Sequence, residues 1–156
     1  MENSIKSTLD LLKELYIGVH DDQTWVIDRK PGHGFTAAIA TISAEQASTP
    51  IVEGGSTIAA HTEHLRWSLS YAMEFYKGKT PSADWAESWT VREVNEEEWE
   101  ELQQGLLDAY LLVRETISKI EDWSNDFLFT GTLALVPHAA YHLGSVKQMM
   151  LLIKSN

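Results

Sequence analysis

The stretch NEEEWEELQQGLLDAYLLVRETISKI, residues 95–120, decides the fold class. Trp99, Leu102, Leu106, Tyr110, Val113, Ile117 and Ile120 recur there at intervals of three and four. That spacing lines one face of an α-helix and no face of a β-strand. Asn95 followed by Glu98 resembles a capping box, in which the two residues satisfy free backbone donors of the first turn. The acidic run Glu96 to Glu101 surrounds this start, where negative charge suits the positive end of the helix dipole, and reads as a solvated face.

Working outward, Ile5, Leu9, Leu12, Tyr16 and Val19 predict an amphipathic helix from about residue 3 to 20. Residues 21–34 hold Pro31, Gly32 and Gly34 and read as a loop, with Trp25, Val26 and Ile27 expected to pack beneath it. An Ala-rich helix is expected from Phe35 to Ala47, ended by Pro50 and Gly54-Gly55. Ser56 or Thr57 can cap the next helix, whose stripe is Ile58, His61, Leu65, Leu69, Ala72 and Tyr76, before Gly78 stops it. From Lys79 to Val94 the pattern is irregular, with Trp85 and Trp89 spaced for one turn of helix over the core. Trp123 to Phe129 reads as an aromatic loop, and Thr132 as the cap of a last helix that reaches Ile153 and starts or bends at Pro137. No strand pattern, repeat or low-complexity stretch is present. Four long amphipathic segments with connections of mixed length predict an all-α four-helix bundle with short extra helices, forming one domain over residues 1–156.

Composition narrows the chemistry. The 156 residues are 44% hydrophobic and include no cysteine, so disulfides, thiolate metal sites and a cysteine nucleophile are excluded. The formal net charge of -11 opposes a nucleic-acid partner, which requires clustered Lys and Arg to neutralise phosphates. The N-terminal residues lack a basic stretch followed by an apolar core, and the apolar runs are shorter than a membrane span. A cytoplasmic protein without membrane attachment is expected.

The chemistry lies in the histidines. His138 and His142 stand four apart, so both imidazoles leave one face of the last helix about one turn apart, where a single metal ion can hold both. Further ligands must come from another helix, and the second long helix offers His61 and His64, while His20 and His33 flank the loop. Three neutral imidazoles suit Zn, Ni or Fe(II) and leave a coordination position open for water or substrate. Periodicity favours His61 slightly over His64. Glu63 points away from the ligand direction and is a poor general base. His-Glu-x-x-His, Glu-x-x-His, a phosphate-binding glycine loop and Gly-x-Ser-x-Gly are all absent. Trp67, Trp85, Trp89 and Trp99 read as core residues.

The stretch GGSTIAAHTEHL, residues 54–65, resembles the second-helix motif of the DinB-like (YfiT-like) metalloprotein superfamily: an aliphatic residue, Ile58, precedes a metal histidine, His64, by six positions. HAAYHLGSV, residues 138–146, resembles the last-helix motif of the same superfamily. The resemblance implies a DinB-type bundle with His64, His138 and His142 as ligands. His61 would then be a donor behind a ligand, a mover of protons, a substrate contact or a fourth ligand. It also implies a metal-dependent enzyme acting on a small-molecule substrate with a low-molecular-weight thiol, since relatives include S-transferases and a thiol-dependent isomerase using bacillithiol, mycothiol or glutathione. Arg66, Lys147 and Arg29 are the cations available to hold such a thiol's carboxylates. Two other readings stand beside it. One is a metal-dependent hydrolase of a small ester or amide; the other is a non-catalytic, metal-stabilised homodimer that uses Met149, Met150 and Leu152 as an exposed interface.

Overall fold

The computed structural model describes residues 2–18 and 23–154. Four long helices carry the architecture: α1 (Glu2–Tyr16), α4 (Ile58–Tyr76), α5 (Glu96–Lys119) and α6 (Asp126–Ile153). Two short ones, α2 (Phe35–Ile39) and α3 (Ala44–Ser48), and a 3₁₀ turn, Trp85–Trp89, fill the connections. Among the described residues there is no strand. Helix α4 packs against α5 and α6, and α1 packs against the same two, so the long helices close a cycle around one core.

Helix α5 follows its sequence closely. The capping box of Asn95 and Glu98 is formed, and Trp99, Leu102, Leu106, Tyr110, Val113 and Ile117 are all buried. Ile120, the last residue of the expected stripe, is the half-buried C-cap. Trp99 also donates its indole N–H to the Ile42 carbonyl, at 3.1 Å. Freeing that carbonyl requires a break in the chain before it, and the single helix expected from Phe35 to Ala47 is indeed two. Ser43 caps α3 through a box with Gln46, which competes with continuation of α2.

Helix α1 stops at Tyr16 rather than near residue 20. Gly18 turns the chain with φ +102°, a conformation open to glycine. The backbone of residues 17–18 then lies so close to Gly34 that a Cβ on Gly34 would sit 2.4 Å from the Gly18 nitrogen. Val19 and His20 lie outside the described residues. The loop is held by its backbone rather than by its side chains. The buried Glu14 carboxylate accepts the amide N–H groups of Trp25, Val26 and Ile27 at 2.7–3.1 Å. Trp25 and Val26 are consequently exposed, contrary to the expected packing, and only Ile27 reaches the core.

Helix α6 begins earlier than expected. Asn125, not Thr132, is its cap, accepting from the amides of Phe127 and Leu128. Residues 126–129, read as loop, are therefore helical. Thr132 lies inside the helix, donating to the Leu128 carbonyl and bonded to the Tyr76 hydroxyl. The helix also runs through Pro137. Proline there removes the bond to the Leu133 carbonyl, but both residues are exposed, so water can replace it. Met149 is buried and Met150 half-buried, which leaves Leu152 alone of the expected interface residues exposed, across half of its surface. No described helix is long and apolar enough to cross a membrane.

The Glu14 arrangement is testable. Glu14→Gln removes the charge that strengthens three amide bonds, and should lower unfolding stability by about 1–3 kcal/mol. Urea titration measures the loss, and unchanged stability would show that the loop is anchored elsewhere.

Candidate metal centre

Helix α4 enters the core at once. Thr57 caps it, accepting from the Ala60 amide while donating to the Arg92 carbonyl at 2.8 Å. Every residue from Ile58 to Leu65 is buried, because α3, α5, α6 and the 3₁₀ turn cover its first two turns from different sides. His61 and His64 therefore both point into protein, and the apolar stripe does not distinguish them.

Geometry does. His138 Nε2 lies 3.0 Å from His64 Nε2 and 3.1 Å from His142 Nε2. The three residues form a group whose ligand atoms all lie within 4.8 Å of one another. Imidazole nitrogens about 2.0–2.1 Å from one ion stand roughly 2.9–3.4 Å apart for inter-ligand angles of about 90–110°, so the two close separations fit a shared divalent ion. The triad joins α4 to α6 across the core.

The hydrogen bonds behind these rings set their tautomers. Ser88 donates its hydroxyl proton to the Trp85 carbonyl at 2.7 Å. Its oxygen therefore accepts from His64 Nδ1–H, also at 2.7 Å, which leaves the lone pair of His64 on Nε2. His142 Nδ1 lies 2.8 Å from His61 Nδ1, and His61 Nε2 lies 3.0 Å from Ser56 Oγ. With His142 Nε2 as a ligand, the proton order is set: His142 Nδ1–H donates to His61, and His61 Nε2–H donates to Ser56. His61 thus stands behind a ligand and is not itself one. For His138, no described residue bonds Nδ1.

Burial keeps these rings neutral. It pushes the pKa of His64 down to about 4, helped by His138 and His61, and that of His142 down to about 3, helped by His138, His61 and His64. The pKa values of His61 and His138 are lowered by the same loss of water. Among the described residues no carboxylate joins the group. Glu63 is buried beside it in sequence but is clasped by Arg66 through bonds of 2.6 and 2.7 Å. An ion held by the triad alone keeps its full charge, the condition for strong Lewis acidity.

Aromatic rings frame the site. Trp89 stacks on His64 with centroids 4.3 Å apart and meets His61 edge-on at 5.2 Å. Trp85 is 48% exposed and tilts toward His64. The core reading holds for Trp99 but not for Trp67, Trp85 and Trp89, which are half-buried or exposed. Beside them a cavity of about 520 Å³ runs between α4 and α6 and ends on His138. His33 is elsewhere, 3.5 Å from Asp28, and His20 lies outside the described residues. Sequence reasoning missed Ser88, in the irregular linker, and the role of Ser56, whose position beside Thr57 marked it only as a cap. Neither family models, nor curated proteins, nor solved structures give a match to this chain.

His64→Ala, His138→Ala and His142→Ala should each abolish stoichiometric divalent metal, while His33→Ala leaves it intact. His61→Ala and Ser88→Ala should keep the metal but weaken it roughly 10–100-fold. Elemental analysis and chelator competition measure both effects, and full metal retention by any of the first three would overturn the triad. A pH dependence follows for the metal-free chain. Its imidazoles titrate near 6.5 when unfolded and well below that when folded, so acid favours the unfolded state. Stability should be complete above pH 6.5 and fall as pH drops toward 4 and 3, more steeply than in a His64→Leu/His142→Leu variant. Urea midpoints across that range provide the check.

Proposed function

We propose that this chain is a divalent-metal-dependent enzyme of the DinB-like (YfiT-like) type, built on that superfamily's four-helix bundle and acting on a small molecule. The observation that carries the reading is the convergence of three neutral imidazoles, one of which, His138, also lines an apolar cavity. Zn, Ni and Fe(II) all suit the donor set. The ion supplies Lewis acidity, lowering the pKa of a coordinated thiol or water and polarising an electrophile.

The residues of the chain do the rest. His64, His138 and His142 bind the ion; Ser88 and His61 hold two of those rings in the ligating tautomer. The series His142, His61, Ser56 leads from the centre to a half-buried hydroxyl and would fix the orientation of the His142 ring. Trp89 covers His64 and His61, limiting water at the ligands. With no cysteine in the chain, a sulfur nucleophile is a small thiol from solution, and thiol S-transfer is the reaction the DinB-like resemblance favours. Hydrolysis of a neutral ester or amide is the second reading, favoured by the absence of charged side chains from the cavity wall. Both place the turnover in a cytoplasmic enzyme, as monomer or homodimer.

A purely structural ion fits less well. His61, the one further histidine at the site, turns its nitrogens to His142 and Ser56, so the protein offers three donors where a closed site uses four. Cobalt-substituted protein should develop a sulfur-to-metal absorption band with 2-mercaptoethanol and a shifted visible spectrum with azide. A spectrum indifferent to both would remove the open position and the enzyme reading with it.

A further inference from the structure

We infer that the cavity ending on His138 is the binding chamber for an uncharged, largely aromatic or aliphatic molecule of about two to three rings, and that its wall away from the histidines disfavours anions. The inference names the substrate class of the centre described above, and to that extent rests on its reading as an enzyme. The chamber's about 520 Å³ falls within the roughly 300–1,000 Å³ of small-molecule sites. Its wall contains no Asp, Glu, Lys or Arg.

The hydroxyls in the wall sharpen the selection, because each has already given its proton to the protein. Ser68 donates to the Leu65 carbonyl at 2.9 Å and Tyr71 to the Pro81 carbonyl at 3.2 Å. Thr132 donates to Leu128, so in the 2.8 Å bond between Tyr76 and Thr132 the tyrosine is the donor. What remains at these four oxygens is lone pairs. Away from the His138 end, a carboxylate, sulfonate or phosphate would shed water and meet neither a cationic side chain nor a free hydroxyl proton. The chain's charge of -11 opposes it further. An uncharged ligand bearing an N–H or O–H group would find acceptors instead.

The remaining wall recognises rings. Tyr71 meets Phe75 and Trp85 edge-to-face at 5.1 and 5.4 Å, and Phe75 packs on Phe127 at 5.4 Å. Phe127 is 68% exposed, and together with the half-exposed Trp85 it leaves apolar surface at the chamber that a bound ring would cover. A thiol co-substrate carrying carboxylates must therefore keep them outside, and the chamber is left to the apolar partner.

The test uses two dyes with one ring skeleton. N-phenyl-1-naphthylamine is neutral, and 8-anilino-1-naphthalenesulfonate adds a sulfonate. The neutral dye should bind zinc-loaded protein at least about tenfold more tightly, a difference of about 1.4 kcal/mol. Gly131→Leu and Ala134→Phe each add bulk to the chamber wall, at positions where α6 exposes small residues and a Cβ on Gly131 meets nothing within 4 Å. Each should weaken the neutral dye at least about tenfold, whereas Gly144→Leu, on the same helix outside the chamber and equally free of neighbours, should not. Equal affinity for both dyes, or wild-type binding by both filled variants, would overturn the inference. Metal content measured on the same samples separates the two readings. Neutral-dye binding without metal keeps the chamber and removes the enzyme; metal without neutral-dye binding keeps the centre and removes the chamber.

Discussion

Keeping imidazoles neutral inside protein is the constraint around which this molecule is arranged. A buried ring that cannot take up a proton must have its N–H bonded and its lone pair aimed at something. Here Ser88 and His61 receive the N–H groups of two rings, and the lone pairs are left facing one another across the gap between α4 and α6. Such mutual facing of lone pairs is unfavourable in isolation and favourable around a cation. Among the described residues no lysine, arginine or carboxylate relieves it, and the three histidines form a group that can hold a metal ion.

The positions of these rings follow from helix packing. Thr57 fixes the start of α4 against the Arg92 carbonyl, and the covering of its first two turns from every side leaves no choice of face for His61 or His64. On α6 the i, i+4 pair uses ordinary helical geometry. The separation of roles between His61 and His64 then depends on which ring meets α6 with its Nε2 and which with its Nδ1.

That explains what was legible in the sequence. The stripe from Trp99 to Ile117, the Asn95 box and the stop at Gly78 rest on local periodicity and turn chemistry, and they stand as read. The end of α1 and the start of α6 did not: the first depends on the distant approach of Gly34 to Gly18, and the second on the local cap at Asn125 rather than at Thr132. Histidine spacing identified the last-helix pair, but no local pattern ranks His61 against His64 once both are enclosed. Ser88 carries no signal in its own neighbourhood. Its value comes from the 3₁₀ turn, which places a single hydroxyl between Trp85 and His64.

Pro137 gives the two halves of α6 different mechanical lives. The missing N–H removes one rung of the ladder immediately before His138, so thermal bending of this long helix concentrates there. Upstream lie Gly131, Thr132 and Leu135 of the cavity wall; downstream lie the turns that carry both ligands. Bending at that rung would shift the cavity wall relative to the centre while leaving the two imidazoles of α6 in register with each other.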